Sequence, residues 1–131
     1  RCTLTTPNLD EARVLLDCGP ISAAQMDNAA LRLHELFGCA VLLKGGHLDG
    51  DPIDVLFDGH SLHRWTHTRL HAIDTHGSGC MLSAAIAAEL AKQAPLHDAV
   101  DVALAATHRA LSHPHTIATG LPMAGIEAAR D

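Results

Sequence analysis

Thr75-His76-Gly77-Ser78-Gly79-Cys80 stands immediately before an alanine-rich stretch with the character of a helix. Glycines let a backbone approach a ligand closely, and the first free N–H groups of a helix converge on an anion, so a phosphate fits at such a turn. The same residues would serve as a tight turn with Ser78 capping the helix, and a G-x-G pattern alone does not decide between the two. Cys80 at the helix start adds a proton-accepting group, since the helix dipole favours a thiolate there. Asn8 with Glu11 three residues on is a capping box, which accounts for both residues structurally. Placed beyond the end of a strand, the Glu11 carboxylate could also hold a hydrated Mg²⁺ through water. Lys44-Gly45-Gly46 closes an apolar run; it would aim a cation and bare backbone amides at a phosphate, or simply end a strand in solvent.

Eleven histidines invite a metal reading, and His63, His67 and His71 recur every four residues. With Trp65 and Arg69 they fall on one face of a period-2 strand, so a polar outer face of a hairpin is the preferred account over a zinc-binding hairpin. His76, inside the glycine turn, is the histidine expected near a site. The four cysteines, Cys2, Cys18, Cys39 and Cys80, form no C-x-x-C pair, which fits a reducing compartment and a cysteine that acts alone.

The elements that must position these groups follow from pattern. Cys2 to Thr5 reads as the end of a strand halted by Thr6-Pro7, and a helix then runs from Asn8 to about Leu16. Ser22 with Gln25 is a second capping box, opening a helix with Met26, Ala29, Ala30, Leu33 and Phe37 on one face and Gly38 as its stop. Cys39 to Leu43 is an apolar run suited to a strand buried on both faces, which makes a parallel strand–helix–strand unit. Ile53 to Phe57 and Ser61 to Leu70 flank the turn Asp58-Gly59-His60 and predict a hairpin. Helices are expected from about Cys80 to Lys92 and from Pro95 to Pro114, packed on each other and on the sheet, followed by a loosely specified tail from His115 to Asp131. Two parallel strands and a hairpin are few for four helices, so the chain reads as part of a larger domain.

Composition narrows the classes. With 131 residues, 47% hydrophobic and 18% charged, the chain can bury a core, which argues against disorder. A net charge of −6 without a Lys/Arg cluster disfavours nucleic acid or an anionic membrane as partner. No apolar run reaches the roughly 18 residues of a membrane span, and Arg1-Cys2-Thr3-Leu4 has no signal-peptide character, so the expected location is the cytoplasm.

Taken together and in order, three segments resemble the hydroxymethylpyrimidine and phosphomethylpyrimidine kinases of thiamine biosynthesis, in the ribokinase-like superfamily. They are Leu4-Thr5-Thr6-Pro7-Asn8-Leu9-Asp10-Glu11-Ala12, Val41-Leu42-Leu43-Lys44-Gly45-Gly46-His47, and Asp74-Thr75-His76-Gly77-Ser78-Gly79-Cys80-Met81-Leu82-Ser83-Ala84-Ala85-Ile86-Ala87. The resemblance runs from about residue 3 to about residue 112. It implies a doubly wound α/β fold with a mostly parallel sheet and flanking helices, residues 1–131 being the carboxyl-terminal part of a single kinase domain. It also implies phosphorylation of hydroxymethylpyrimidine or its monophosphate with ATP and Mg²⁺, partners limited to the small pyrimidine and ATP, and room for a homo-oligomer. On the same basis Asn8 and Glu11 match the metal and phosphate motif, and Lys44 matches a phosphate contact. Thr75 and His76 lead into an anion hole of Gly77, Ser78 and Gly79, and Cys80 falls where sugar kinases of the superfamily carry a catalytic Asp.

Phosphoryl transfer needs mainly positioning and charge stabilisation by metal, lysine and backbone N–H groups. Cys80 would take the proton of an attacking hydroxymethyl group; a monophosphate, with a second pKa near ~6, needs scarcely any base. The family's amino-terminal half, which supplies most pyrimidine contacts, has no counterpart in residues 1–131, so a non-catalytic nucleotide- or phosphate-binding remnant of such a kinase is the second reading. Asp74 stands where the family has Asn, and His113 to Gly120 only loosely echoes its glycine-rich ending.

Overall fold

Thr6-Pro7 interrupts the first strand, β1 (Leu4–Thr5), and the chain turns at once into helix α1 (Leu9–Leu15). Both halves of the expected capping box are present: Asn8 Oδ1 accepts from Glu11 N–H at 2.8 Å, and Glu11 Oε2 accepts from Asn8 N–H at 2.7 Å. The second box, at Ser22 and Gln25, closes a short 3₁₀ turn (Ala23–Gln25) that leads into α2 (Met26–Phe37). Gly38 ends α2 in the left-handed region at φ 64°, the conformation that favours glycine. Strand β2 (Ala40–Lys44) then runs parallel to β1, with Leu4 opposite Ala40, completing the strand–helix–strand unit.

The computed structural model describes residues 2–69, 77–113, 115–116 and 122–123, which fall in two units, residues 1–69 and 70–131. In the first unit β2 pairs antiparallel with β3 (Ile53–Phe57), and β3 with β4 (Leu62–Thr66), giving a four-stranded mixed sheet in the order β1-β2-β3-β4. Its core lies between one sheet face and the helices, where Leu9, Ala12, Met26, Ala29, Ala30 and Leu33 meet Val41, Leu43 and Val55. Met26 and Leu33 are completely buried, so truncating either to Ala removes roughly 2–5 kcal/mol of stability. Leu42 and Leu56 point to the opposite face and are fully buried too, as expected for a strand apolar on both sides.

The hairpin differs from expectation. β4 ends at Thr66 rather than near Leu70, and His71 lies outside the described residues. His63 and Trp65 are on the half-buried face of β4, while Leu62, Arg64 and Thr66 are exposed. That face is polar but half-buried: His63 lies 3.2 Å from Asp58 and His67 2.9 Å from Asp54, so both described histidines meet carboxyl groups.

In the second unit α3 (Ser78–Ala91) and α4 (Leu96–Ser112) pack on each other. Leu82 and Ile86 of α3 are buried, as are Ala99, Val100, Ala103, Leu104 and Ala110 of α4. Helix α3 begins two residues earlier than the alanine run suggests. The tail carries order that its composition does not advertise: β5 (His115–Thr116) pairs antiparallel with β6 (Pro122–Met123).

Candidate functional site

The first group of predicted site residues converges because β2 outlasts β1. Beyond Thr5 the pairing continues across the proline: Lys44 N–H donates to Pro7 O at 2.9 Å, and Asn8 forms a parallel bridge with Lys44. Thirty-six positions apart in sequence, Asn8 and Lys44 are therefore neighbours at the carboxyl end of β1 and β2. Glu11 joins them through its bond to the Asn8 amide and is exposed. A hydrated Mg²⁺ takes one or two carboxylates and fills its shell with water and phosphate oxygens. Glu11 suits that role: one oxygen is anchored, and the side chain stands in solvent. Among the described residues no three metal-ligating side chains cluster, so a cation on Glu11 would fill its shell mainly with water; His71, the third histidine of a zinc hairpin, lies outside the described residues.

Gly45 and Gly46 differ in role, which corrects the expectation of bare amides at both. Gly45 is buried, and its N–H is spent on Asp54 Oδ1 at 3.0 Å. A Cβ there would lie 2.1 Å from the Ile53 carbonyl oxygen, so this glycine is required by the approach of β3. Gly46 is exposed with open space around its Cα.

The loop after Gly45 is held at several points that the sequence reading missed. Arg69 donates to the carbonyl oxygens of Gly46, Leu48 and Gly50, and its own N–H donates to Asp51 at 3.2 Å. His47 Nδ1 lies 3.0 Å from Asp10 Oδ2, tying the loop to the first turn of α1. The carboxyl group of Asp54 links Gly45 to His67. An Asp inside the apolar strand Ile53–Phe57 was the available signal, because a carboxyl group buried there must have donors around it.

The second group lies at the start of α3. Gly77 is the N-cap at φ 85°, and Ser78 is the first helical residue, so Ser78 does not cap the helix. Gly79 and Cys80 occupy the rest of the first turn, with Cys80 exposed. No acidic side chain stands in that turn, and the glycine cap has no side chain to compete for its N–H groups. Thr75 and His76 lie outside the described residues. Of the other cysteines, Cys39 is buried, and burial, followed by the neighbouring thiol of Cys2, pushes it up, which leaves it a poor candidate for proton transfer.

A family model described as phosphomethylpyrimidine kinase matches residues 1–123. The chain belongs to the phosphomethylpyrimidine kinase family. A hydroxymethylpyrimidine/phosphomethylpyrimidine kinase of Mycobacterium tuberculosis is 48% identical over 102 residues, covering 76% of this chain and 37% of that protein. The chloroplastic thiamine biosynthetic bifunctional enzyme of Arabidopsis thaliana is 42% identical over 125 residues, covering 93% of this chain and 24% of the enzyme. Among solved structures, an ADP complex of Bacillus subtilis pyridoxal kinase superposes with a TM-score of 0.89 at 32% identity, covering 98% of this chain and 49% of the kinase. That likeness shows a ribokinase-like α/β fold. This family member thus spans less than half the length of the relatives it matches.

Proposed function

We propose that the protein phosphorylates hydroxymethylpyrimidine, its monophosphate, or both, with ATP as donor, as the carboxyl-terminal part of a ribokinase-like kinase domain. The observation that carries this reading is the Asn8–Lys44 bridge, which sets a lysine beside an anchored glutamate at one strand edge. Lys44 would meet phosphate charge, and Glu11, through water, would hold the Mg²⁺ that neutralises the transferred group. The N–H groups of Gly77, Ser78 and Gly79 would receive charge developing on the phosphoryl oxygens, and Asn8, Thr75 and His76 would complete the nucleotide contacts. Cys80, exposed in the first turn of α3, would take the proton of the attacking hydroxymethyl group, the role for which an acceptor still bearing its hydroxyl has most need. The name of the M. tuberculosis relative supports the pyrimidine acceptor, and that of the A. thaliana relative supports a place in thiamine biosynthesis.

The test is ADP release by the native gene product, its intact mass measured alongside, with Mg-ATP and either pyrimidine or pyridoxal as acceptor. Transfer to the pyrimidines is expected. Transfer to pyridoxal alone would move the protein to the activity named for its B. subtilis structural relative. ATP binding by calorimetry without transfer to any acceptor would establish the non-catalytic phosphate-binding reading, and no ATP binding would overturn both.

A further inference from the structure

Asp54 is the only buried carboxyl side chain among the described residues, 10% exposed, yet it stands directly across the register from Lys44. One oxygen accepts the Gly45 N–H at 3.0 Å; the other lies 2.9 Å from His67 Nε2. His67 is itself fixed, its backbone N–H donating to Pro52 O at 2.9 Å. The Gly45 N–H belongs to the peptide that begins at Lys44, so whatever holds that N–H also fixes the peptide plane and the direction in which the Lys44 Cα leaves the strand. Gly45 is buried and packed close against the Ile53 carbonyl, so its N–H is poorly placed to exchange the carboxyl group for water. A buried donor left unpaired is costly, and the cheapest relief is to turn the Lys44–Gly45 peptide outward.

We propose that Asp54 is a positioning residue for phosphoryl transfer: seated between Gly45 and His67, it locks the Lys44–Gly45 peptide and so sets the presentation of Lys44. The inference rests on the reading of Lys44 as a phosphate contact. It explains why a carboxyl group occupies a strand whose neighbours Val55 and Leu56 are completely buried.

Steady-state and single-turnover kinetics on Asp54→Ala, Asp54→Asn, His67→Ala and Lys44→Met, with thermal melts on each, test it. Asp54→Ala should lower kcat roughly 10- to 100-fold while leaving the acceptor KM within about twofold, the pattern of a misplaced group rather than a lost binding contact. Asp54→Asn retains an oxygen for the Gly45 N–H and should recover kcat to within about threefold. If Asp54→Ala does not fold, His67→Ala, which frees one side of the carboxyl group, should still reduce kcat several-fold with KM unchanged. Wild-type kcat in a folded Asp54→Ala or in His67→Ala, or equal losses in the Ala and Asn variants, would overturn the assignment. Lys44→Met separates the two levels: unimpaired Lys44→Met removes the phosphate-contact reading itself, whereas impaired Lys44→Met beside normal Asp54→Ala removes only the role of Asp54.

Discussion

Replacing Gly45 and Gly46 separately by Ala asks whether the glycine pair serves the fold or the ligand. At Gly45 the new Cβ would sit 2.1 Å from the Ile53 carbonyl oxygen, against the 3.4 Å at which ordinary contact begins. The obstacle is backbone, so β3 must retreat by more than an ångström. That movement breaks the 3.0 Å bond from Gly45 N–H to Asp54 and disturbs the Lys44–Asp54 pairing. Overpacking of this kind costs about 1–3 kcal/mol, and a buried amide left unpaired about 1–3 kcal/mol more. Gly45→Ala should therefore lose roughly 2–6 kcal/mol and melt on the order of 10 °C below wild type. Gly46 has nothing within 4 Å of its added Cβ and no left-handed φ, so Gly46→Ala should melt within a degree or two of wild type. If its exposed backbone admits a phosphate, Gly46→Ala should instead weaken ATP binding by calorimetry. Equal melting temperatures for the two variants would refute the division of roles.

Glu11→Gln preserves the capping box, since Gln also accepts from the Asn8 N–H, but removes the charge; the Mg²⁺ concentration for half-maximal activity should rise several-fold with little change in melting. Asp58, in the β3–β4 turn, is held at about 2, below the ordinary 3.8, first by the Ser61 N–H and then by that of His60. Its folded value is depressed, so its stabilisation of about 1–2 kcal/mol is complete above pH 4 and fades as pH falls toward 2. Urea melts should show Asp58→Ala clearly weaker than wild type at pH 7, with a gap that narrows by about half at pH 3. Cys80→Ser should slow single-turnover transfer to hydroxymethylpyrimidine by roughly 10²-fold and transfer to its monophosphate much less; equal losses would mean that Cys80 shapes the helix start without moving a proton.

What the sequence could reveal was local. Capping boxes at Asn8 and Ser22, a left-handed stop at Gly38 and the two-sided apolar run of β2 each need only neighbouring residues, and each is found where it was expected. The Asp54 cluster depends instead on register. Gly45 is nine positions before Asp54 and His67 thirteen after it, and their meeting follows from the pairing of Lys44 with Asp54 and of Ile53 with Thr66. Shifting β4 by one residue would turn His63 and Trp65 to the other face, so spacing alone could not say whether those histidines meet carboxyl groups or solvent. The strap of Arg69 over the loop spans 19 to 23 positions and has no periodicity to betray it. Strands as short as β5 and β6, two residues each, leave no alternation to read.

The two helix starts carry opposite charge patterns, and these favour different roles. In α1 the first turn bears Asp10 and Glu11, and the Asn8 side chain already occupies the Glu11 N–H. An incoming phosphate there would meet two carboxylates and a donor already taken, whereas a hydrated cation would be attracted. Asp10 is partly neutralised by Arg13 at 3.3 Å and met by His47 at 3.0 Å, so in the proposed reading Glu11 is the carboxylate that would attract the cation. The first turn of α3 has no acidic residue and a glycine at its cap, so no side chain of that turn offsets its positive end. A helix N-terminus alone is common to every helix; what distinguishes this one is the combination of a glycine cap, a left-handed turn and an absence of competing side-chain acceptors in its first turn. The charge pattern of each helix start, taken by itself, thus agrees with the proposed reading: an anion at α1 would meet like charge, whereas an anion at the first turn of α3 would meet none from that turn.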